Sequence, residues 1–108
     1  MKGTYLKLFV PEFEKHPNGE ALHQWLMKTA KSFGIQGGTA TRATFGFGRH
    51  GDISVDNVFG ESPMEMAFMT SEELADKFLS FLKNEKIALF YIKTPAEYGW
   101  LGELQKTN

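Results

Sequence analysis

Met64-Glu65-Met66-Ala67-Phe68-Met69, followed at once by Thr70-Ser71-Glu72-Glu73, is a strand handing the chain to a helix. The first six residues are mostly apolar and contain no turn former, which suits a strand. Thr70 and Glu73 have the spacing of a capping box. Glu72 and Glu73 put negative charge in the first turn, where the helix dipole favours it. Leu74, Phe78, Phe81 and Leu82 then form an apolar stripe, and Asn84 can end the helix. Ile87 to Ile92 is almost wholly apolar and predicts a closing strand. Together these segments make one βαβ unit.

Working back toward Met1 gives a second unit. Tyr5-Leu6-Lys7-Leu8-Phe9-Val10 predicts a strand, stopped by Pro11. Pro11 to Gly19 is polar, with two prolines, and reads as a loop. Leu22, Trp25, Leu26, Thr29, Ala30 and Phe33 recur at helical spacing. Asn18 is the expected N-cap, and Gly34 suits the left-handed residue that closes a helix. Gly37-Gly38 marks a turn, Thr39 to Phe47 a strand, and Gly46 to Gly60 a long connection. The order is βαββαβ. Right-handed crossovers then predict a ferredoxin-like α+β fold, a four-stranded antiparallel sheet with both helices on one face. The expected domain is residues 1–93, with a C-terminal tail at 94–108 that holds Tyr98 and Trp100. These two aromatics read as packing anchors or subunit contacts.

Such a sheet should alternate apolar and polar residues, because only one face is covered. These strands do not. Leu6, Leu8 and Val10 oppose Tyr5 and Phe9, and Ile87, Leu89 and Tyr91 oppose Ala88, Phe90 and Ile92. A large exposed apolar patch marks an interaction surface. A closed homo-oligomer would cover it, and so would a tail folded back over the sheet.

Composition narrows the function. The chain has 108 residues, enough for one domain, with a net charge of −1 and no cysteine. Balanced charge gives no footprint for nucleic acid. Lack of cysteine removes disulfides, thiol nucleophiles and cysteine-rich zinc sites. No apolar run approaches the ~20 residues of a membrane span. A cytoplasmic protein without direct membrane insertion is expected.

The most distinctive segment is Gly46-Phe47-Gly48-Arg49-His50-Gly51. Its G-x-G-x-x-G spacing lacks the following helix of a dinucleotide fold, and the chain is too short for a kinase. The chemistry of the spacing still holds. Glycine backbone can approach an anion and offer N–H groups, while Arg42 and Arg49 can add charge-assisted contacts. His50 can donate a hydrogen bond. A sharply turned hairpin tip with no ligand is the plain alternative. His16, His23 and His50 show no metal-ligand spacing. Glu12, Glu14 and Glu20 read as a solvated acidic surface. No catalytic residue and no metal site are expected, so the chain reads as non-enzymatic.

Three stretches resemble the DUF190 family of PII-like signalling proteins. They are Met1-Lys2-Gly3-Thr4, then Gly34-Ile35-Gln36-Gly37-Gly38-Thr39-Ala40-Thr41-Arg42, then Gly46-Phe47-Gly48 with His50-Gly51. The resemblance covers roughly Met1 to Ile92. It implies a ferredoxin-like homotrimer whose sheets line a central core. It also implies an adenine nucleotide (AMP, ADP or ATP) in the cleft between subunits. Ligand-side residues carried over by motif are Arg42, Gly46, Phe47, Gly48, Arg49, His50 and Gly51. The loop at about 48–62 would then engage a partner protein, such as a membrane transporter. Other readings are a ligand-independent interaction module, a small enzyme built on His50, and a divalent-metal-binding trimer.

Overall fold

Lys2–Pro11 forms β1, and its residues alternate between half-buried and fully buried along most of its length. The computed structural model describes residues 1–43, 45–47, 53–55 and 63–102, with the backbone alone at 45–47, 53–55 and 63. After β1 come α1 (Leu22–Ser32), β2 (Gly37–Arg42), β3 (Phe45–Phe47) and β4 (Ile53–Val55). Then follow β5 (Pro63–Thr70), α2 (Glu72–Asn84) and β6 (Phe90–Glu97). Four strands form one sheet in the order β2-β5-β1-β6, with every neighbouring pair antiparallel. This is the ferredoxin-like α+β fold. A separate two-stranded ribbon, β3 with β4, is inserted between β2 and β5.

The register sets the core. Leu6 faces Phe68 and Leu8 faces Met66 across β1 and β5. These four residues and Val10 are buried against Leu22, Leu26 and Ala30 of α1 and Ala75, Phe78 and Leu82 of α2. Phe68 meets Phe78 edge-on at 5.8 Å, and Phe33 meets Phe78 at 5.5 Å. Burying each such side chain stabilises by about 1.5–3 kcal/mol relative to exposure. Gly38 lies under the Phe68 ring, where an added Cβ would sit 2.7 Å from ring carbons. Glycine here admits the ring.

Both helices end alike. Gly34 N–H bonds to the Lys31 carbonyl at 3.0 Å, and Ile35 N–H to Ala30 at 3.2 Å. Lys86 N–H bonds to Lys83 and Ile87 N–H to Leu82, both at 3.0 Å. Both are Schellman motifs. Gly34 takes its left-handed residue in α1, as expected, while α2 uses Lys86 at φ 61°.

Five details differ from the sequence expectations. Gly37-Gly38, expected as a turn, opens β2 and pairs with Met69 and Phe68 of β5, because the left-handed Gly34 has already turned the chain. The N-cap of α1 is Ala21, without a side-chain bond, because Asn18 Oδ1 instead accepts from Glu20 N–H at 2.9 Å. The N-cap of α2 is Ser71, whose Oγ accepts from Leu74 N–H at 3.1 Å, because Thr70 is the buried last residue of β5. The predicted strand from Thr39 to Phe47 is two strands, broken between Arg42 and Phe45. The last strand starts at Phe90 and runs to Glu97, because the turn at Lys86 delays its pairing with β1. Ile87 and Leu89 pack against the core from the connection instead.

The face away from the helices is apolar too. Phe9 and Phe90 lie directly opposite, with ring centroids 5.5 Å apart. Lys7 Nζ pairs with Glu65 at 2.8 Å and stands 5.8 Å from the centre of the Phe9 ring. The described tail does not cover this face. Tyr98 N–H bonds to the Met1 carbonyl at 2.8 Å, and the Met1 ammonium donates to the Tyr98 carbonyl at 2.7 Å. Among the described residues no helix is long and apolar enough to cross a membrane.

Candidate functional site

Arg42 is the last residue of β2, at the free edge of the sheet. Its register partner on β5 is Met64, which faces Val10 of β1 on the other side. Two residues past Val10 comes Glu12, and the Arg42 guanidinium donates to its carboxylate. The ion pair therefore reaches over β5 and ties the β1–α1 loop to the end of β2. Its acid is largely covered and its base more open, with side chains 11% and 53% exposed.

The loop that carries Glu12 is firmly built. His16 N–H bonds to the Glu20 carbonyl at 2.9 Å, and Gly19 N–H to the His16 carbonyl at 2.8 Å. Asn18 N–H bonds to His16 Nδ1 at 3.1 Å. The His16 ring stacks on Trp25 at 4.1 Å, and Trp25 stacks on Phe81 at 6.2 Å. Lys28 pairs with Glu20 at 2.6 Å. That hydrogen bond first, and a second from Asn18, hold the Glu20 carboxyl below its ordinary value. Trp25 thus anchors the loop to both helices through His16 and Phe81.

Past Arg42 the backbone enters the ribbon. Phe45 pairs with Val55, Gly46 with Ser54 and Phe47 with Ile53. Of the expected ligand residues, Arg42 is seen in full, and Gly46 and Phe47 are seen as backbone positions on β3. Gly48, Arg49, His50 and Gly51 fall in sequence between the two paired strands and lie outside the described residues. Most of the expected 48–62 loop lies outside them as well, although Ile53–Val55 within it is strand β4.

Sequence reasoning missed two features. Glu12 was expected on a solvated surface, yet it meets a base thirty positions away. No local signal encodes such a pair. His16, noted in sequence only for its lack of metal-ligand spacing, is half-buried against Trp25. A histidine in a loop next to a helix bearing an unusually large aromatic was the available hint. Among the described residues, no three of His, Asp and Glu converge as metal ligands would.

Comparison with known proteins places this geometry in context. The model of the DUF190 family, described as an uncharacterized ACR, matches residues 3–88. A UPF0166 protein of Aquifex aeolicus (strain VF5) is 26% identical over 96 residues, covering 86% of this chain and 90% of its own. Among solved structures, CPII of Thiomonas intermedia K12 is a nitrogen regulatory PII-like protein bound to ADP, AMP and bicarbonate. It matches with a TM-score of 0.66 at 14% identity, over 94% of this chain and 97% of its own. A candidate PII-like signaling protein from Thermus thermophilus matches at 0.62 and 19% identity, over 89% and 87% of the two chains. These likenesses show a shared fold.

Proposed function

Since the chain belongs to the DUF190 family, through residues 3–88, we propose that it is a PII-like regulator of the cytoplasm, without enzymatic activity. It assembles as a homotrimer and binds a small anion, an adenine nucleotide (AMP, ADP or ATP), in the cleft between subunits. Through residues 48–62 it controls a partner protein, of which a membrane transporter is one kind.

One observation carries this reading. Arg42 leaves the sheet edge just before the ribbon whose sequence continues Gly46-Phe47-Gly48-Arg49-His50-Gly51, and its guanidinium rests on Glu12. Carboxylate and phosphate present the same forked geometry to arginine. A nucleotide phosphate can therefore compete with Glu12 for Arg42, while glycine N–H groups supply further donors. Exchange of that partner would alter how the β1–α1 loop is tied to the end of β2, biasing the ribbon between two arrangements. The nucleotides and bicarbonate bound to CPII support the ligand class. The uncovered apolar face supports assembly.

A second reading has its own support. Asp52, Asp56 and Glu61 follow the glycine segment and repel phosphate. They favour an oligomeric module that binds protein without a small ligand.

A thermal-shift panel with ATP, ADP, AMP and bicarbonate separates the two. A nucleotide at 100 times its dissociation constant stabilises by about 2.7 kcal/mol, which raises the midpoint by several degrees. The shift should shrink in Arg42→Ala and Arg49→Ala. A flat panel contradicts the ligand and leaves the interaction module.

A further inference from the structure

His16-Pro17-Asn18-Gly19 is a turn: proline fixes φ at its second position, and Gly19 leaves it at φ 94°. The Gly19 N–H closes it on the His16 carbonyl at 2.8 Å. The imidazole closes it a second time. His16 Nδ1 accepts the Asn18 N–H at 3.1 Å, and a ring nitrogen that accepts carries no proton. The ring proton is therefore on Nε2, and the turn is built around a neutral histidine.

The same ring fastens the turn to the helices. It stacks on Trp25 of α1 at 4.1 Å, and Trp25 stacks on Phe81 of α2 at 6.2 Å. Backbone bonds carry the turn's position back along the loop. His16 N–H bonds to the Glu20 carbonyl at 2.9 Å, and Leu22 N–H to the Glu14 carbonyl at 2.8 Å. Glu14 N–H then bonds to the Pro11 carbonyl at 3.2 Å, and Glu12 lies inside that bend. Where Glu12 stands against Arg42 thus depends on the turn at His16. The charges around the ring are few. Glu20 of the same loop is held by Lys28 of α1 at 2.6 Å and by the Asn18 side-chain amide at 3.1 Å. Lys15 precedes His16 in sequence, and from α2 the stack presents the uncharged Phe81. A positive charge on the ring finds its neighbouring carboxylate already taken.

We infer that His16 is a pH latch on the β1–α1 loop. Histidine changes charge between about pH 5 and 8. The added proton goes to Nδ1, the bare nitrogen, and a donor then faces the Asn18 N–H. Two donors make no bond, so the turn at 16–19 opens and the bend that carries Glu12 loosens its hold on Arg42. The latch is shut at the alkaline end of that range and open at the acid end. At the anion site proposed above, mild acid would free Arg42 for phosphate. That consequence rests on the proposed reading of Arg42, whereas the latch itself does not.

The test is an NMR titration of the full chain from about pH 8 to about pH 5, following the His16 ring, the Asn18 amide and the Arg42 guanidinium. The latch predicts that all three move with one midpoint, and that the Asn18 amide loses protection from solvent exchange below it. In His16→Asn, Oδ1 stands in for Nδ1 as an acceptor and takes up no proton in this range. The Asn18 amide and Arg42 should then be indifferent to pH. A His16 ring that titrates while the Asn18 amide stays in place overturns the latch. So does an Arg42 signal that is unmoved, or that moves equally in the variant. If the variant does not fold, the wild-type titration still decides, because the shared midpoint is read there. Three signals moving together beside a flat nucleotide panel would sink the anion reading and leave the latch standing.

Discussion

The two faces of the main sheet are built from alternate residues of the same strands, and they meet different fates. On the helix side, Leu6, Leu8, Val10, Met66 and Phe68 are buried among side chains of α1 and α2. On the other side, Phe90 remains 64% exposed and Ile92 43% exposed, although both are as apolar as their counterparts. A chain with two helices can cover one face only. The first face specifies the fold of a single chain. The second is left as an apolar surface, which the proposed homotrimer would cover. Its charged pair among the described residues, Lys7 with Glu65, is local and mutually satisfied.

Breaking the helix-side face should have the largest effect. Phe68→Ala removes the ring that meets Phe78 and covers Gly38, and should cost about 3–5 kcal/mol by urea denaturation. A loss below about 1 kcal/mol would mean that this face is not the core. Gly38→Ala tests the same contact from the other side. Its Cβ would meet the Phe68 ring at 2.7 Å and Met27 Sδ at 3.1 Å, so overpacking should cost about 1–3 kcal/mol. Phe68→Leu should relieve part of that cost, giving a non-additive double-variant cycle.

The open face should behave differently. Phe90→Lys removes a tilted ring pair with Phe9, worth about 0.5–1.5 kcal/mol to a single chain. Its main effect should be on assembly, read as a drop in native mass with circular dichroism unchanged. The smallest expected effect is on pH dependence. The hydrogen bond to Glu65 is the main cause that holds the Lys7 ammonium above its ordinary 10.5. A raised folded value stabilises fully below the unfolded one, so this contribution is complete below pH 10.5 and fades as pH rises through the higher value. Lys7→Met should lower stability slightly at neutral pH and remove the alkaline step, so that variant and wild type converge at high pH. An unchanged alkaline profile would show that the pair contributes nothing.

The two faces also explain what was legible in the sequence. The βαββαβ order follows from apolar period and glycine placement, and both features are local. So is the excess of apolar residues on both faces of β1. The start of β6 was not legible, since Ile87-Ala88-Leu89 is as apolar as a strand and periodicity does not separate a strand from a packed connection. A lysine holding a left-handed turn gives no warning in sequence either. The capping box at Thr70 failed by one residue because tertiary burial claimed that threonine for the sheet. At the candidate site, the glycine spacing and Arg42 carry only an expectation of anion chemistry, which the nucleotide panel tests. The tie from Arg42 to Glu12 was not legible, because it depends on which strand lies between their two segments.

The most direct test of the account is the native mass of the full chain by sedimentation at micromolar concentration. The homotrimer proposed above predicts a species of three 12.2 kDa chains, and Phe90→Lys predicts its dissociation to folded single chains. A wild-type chain that sediments as a monomer would contradict the central claim that this face exists for other copies.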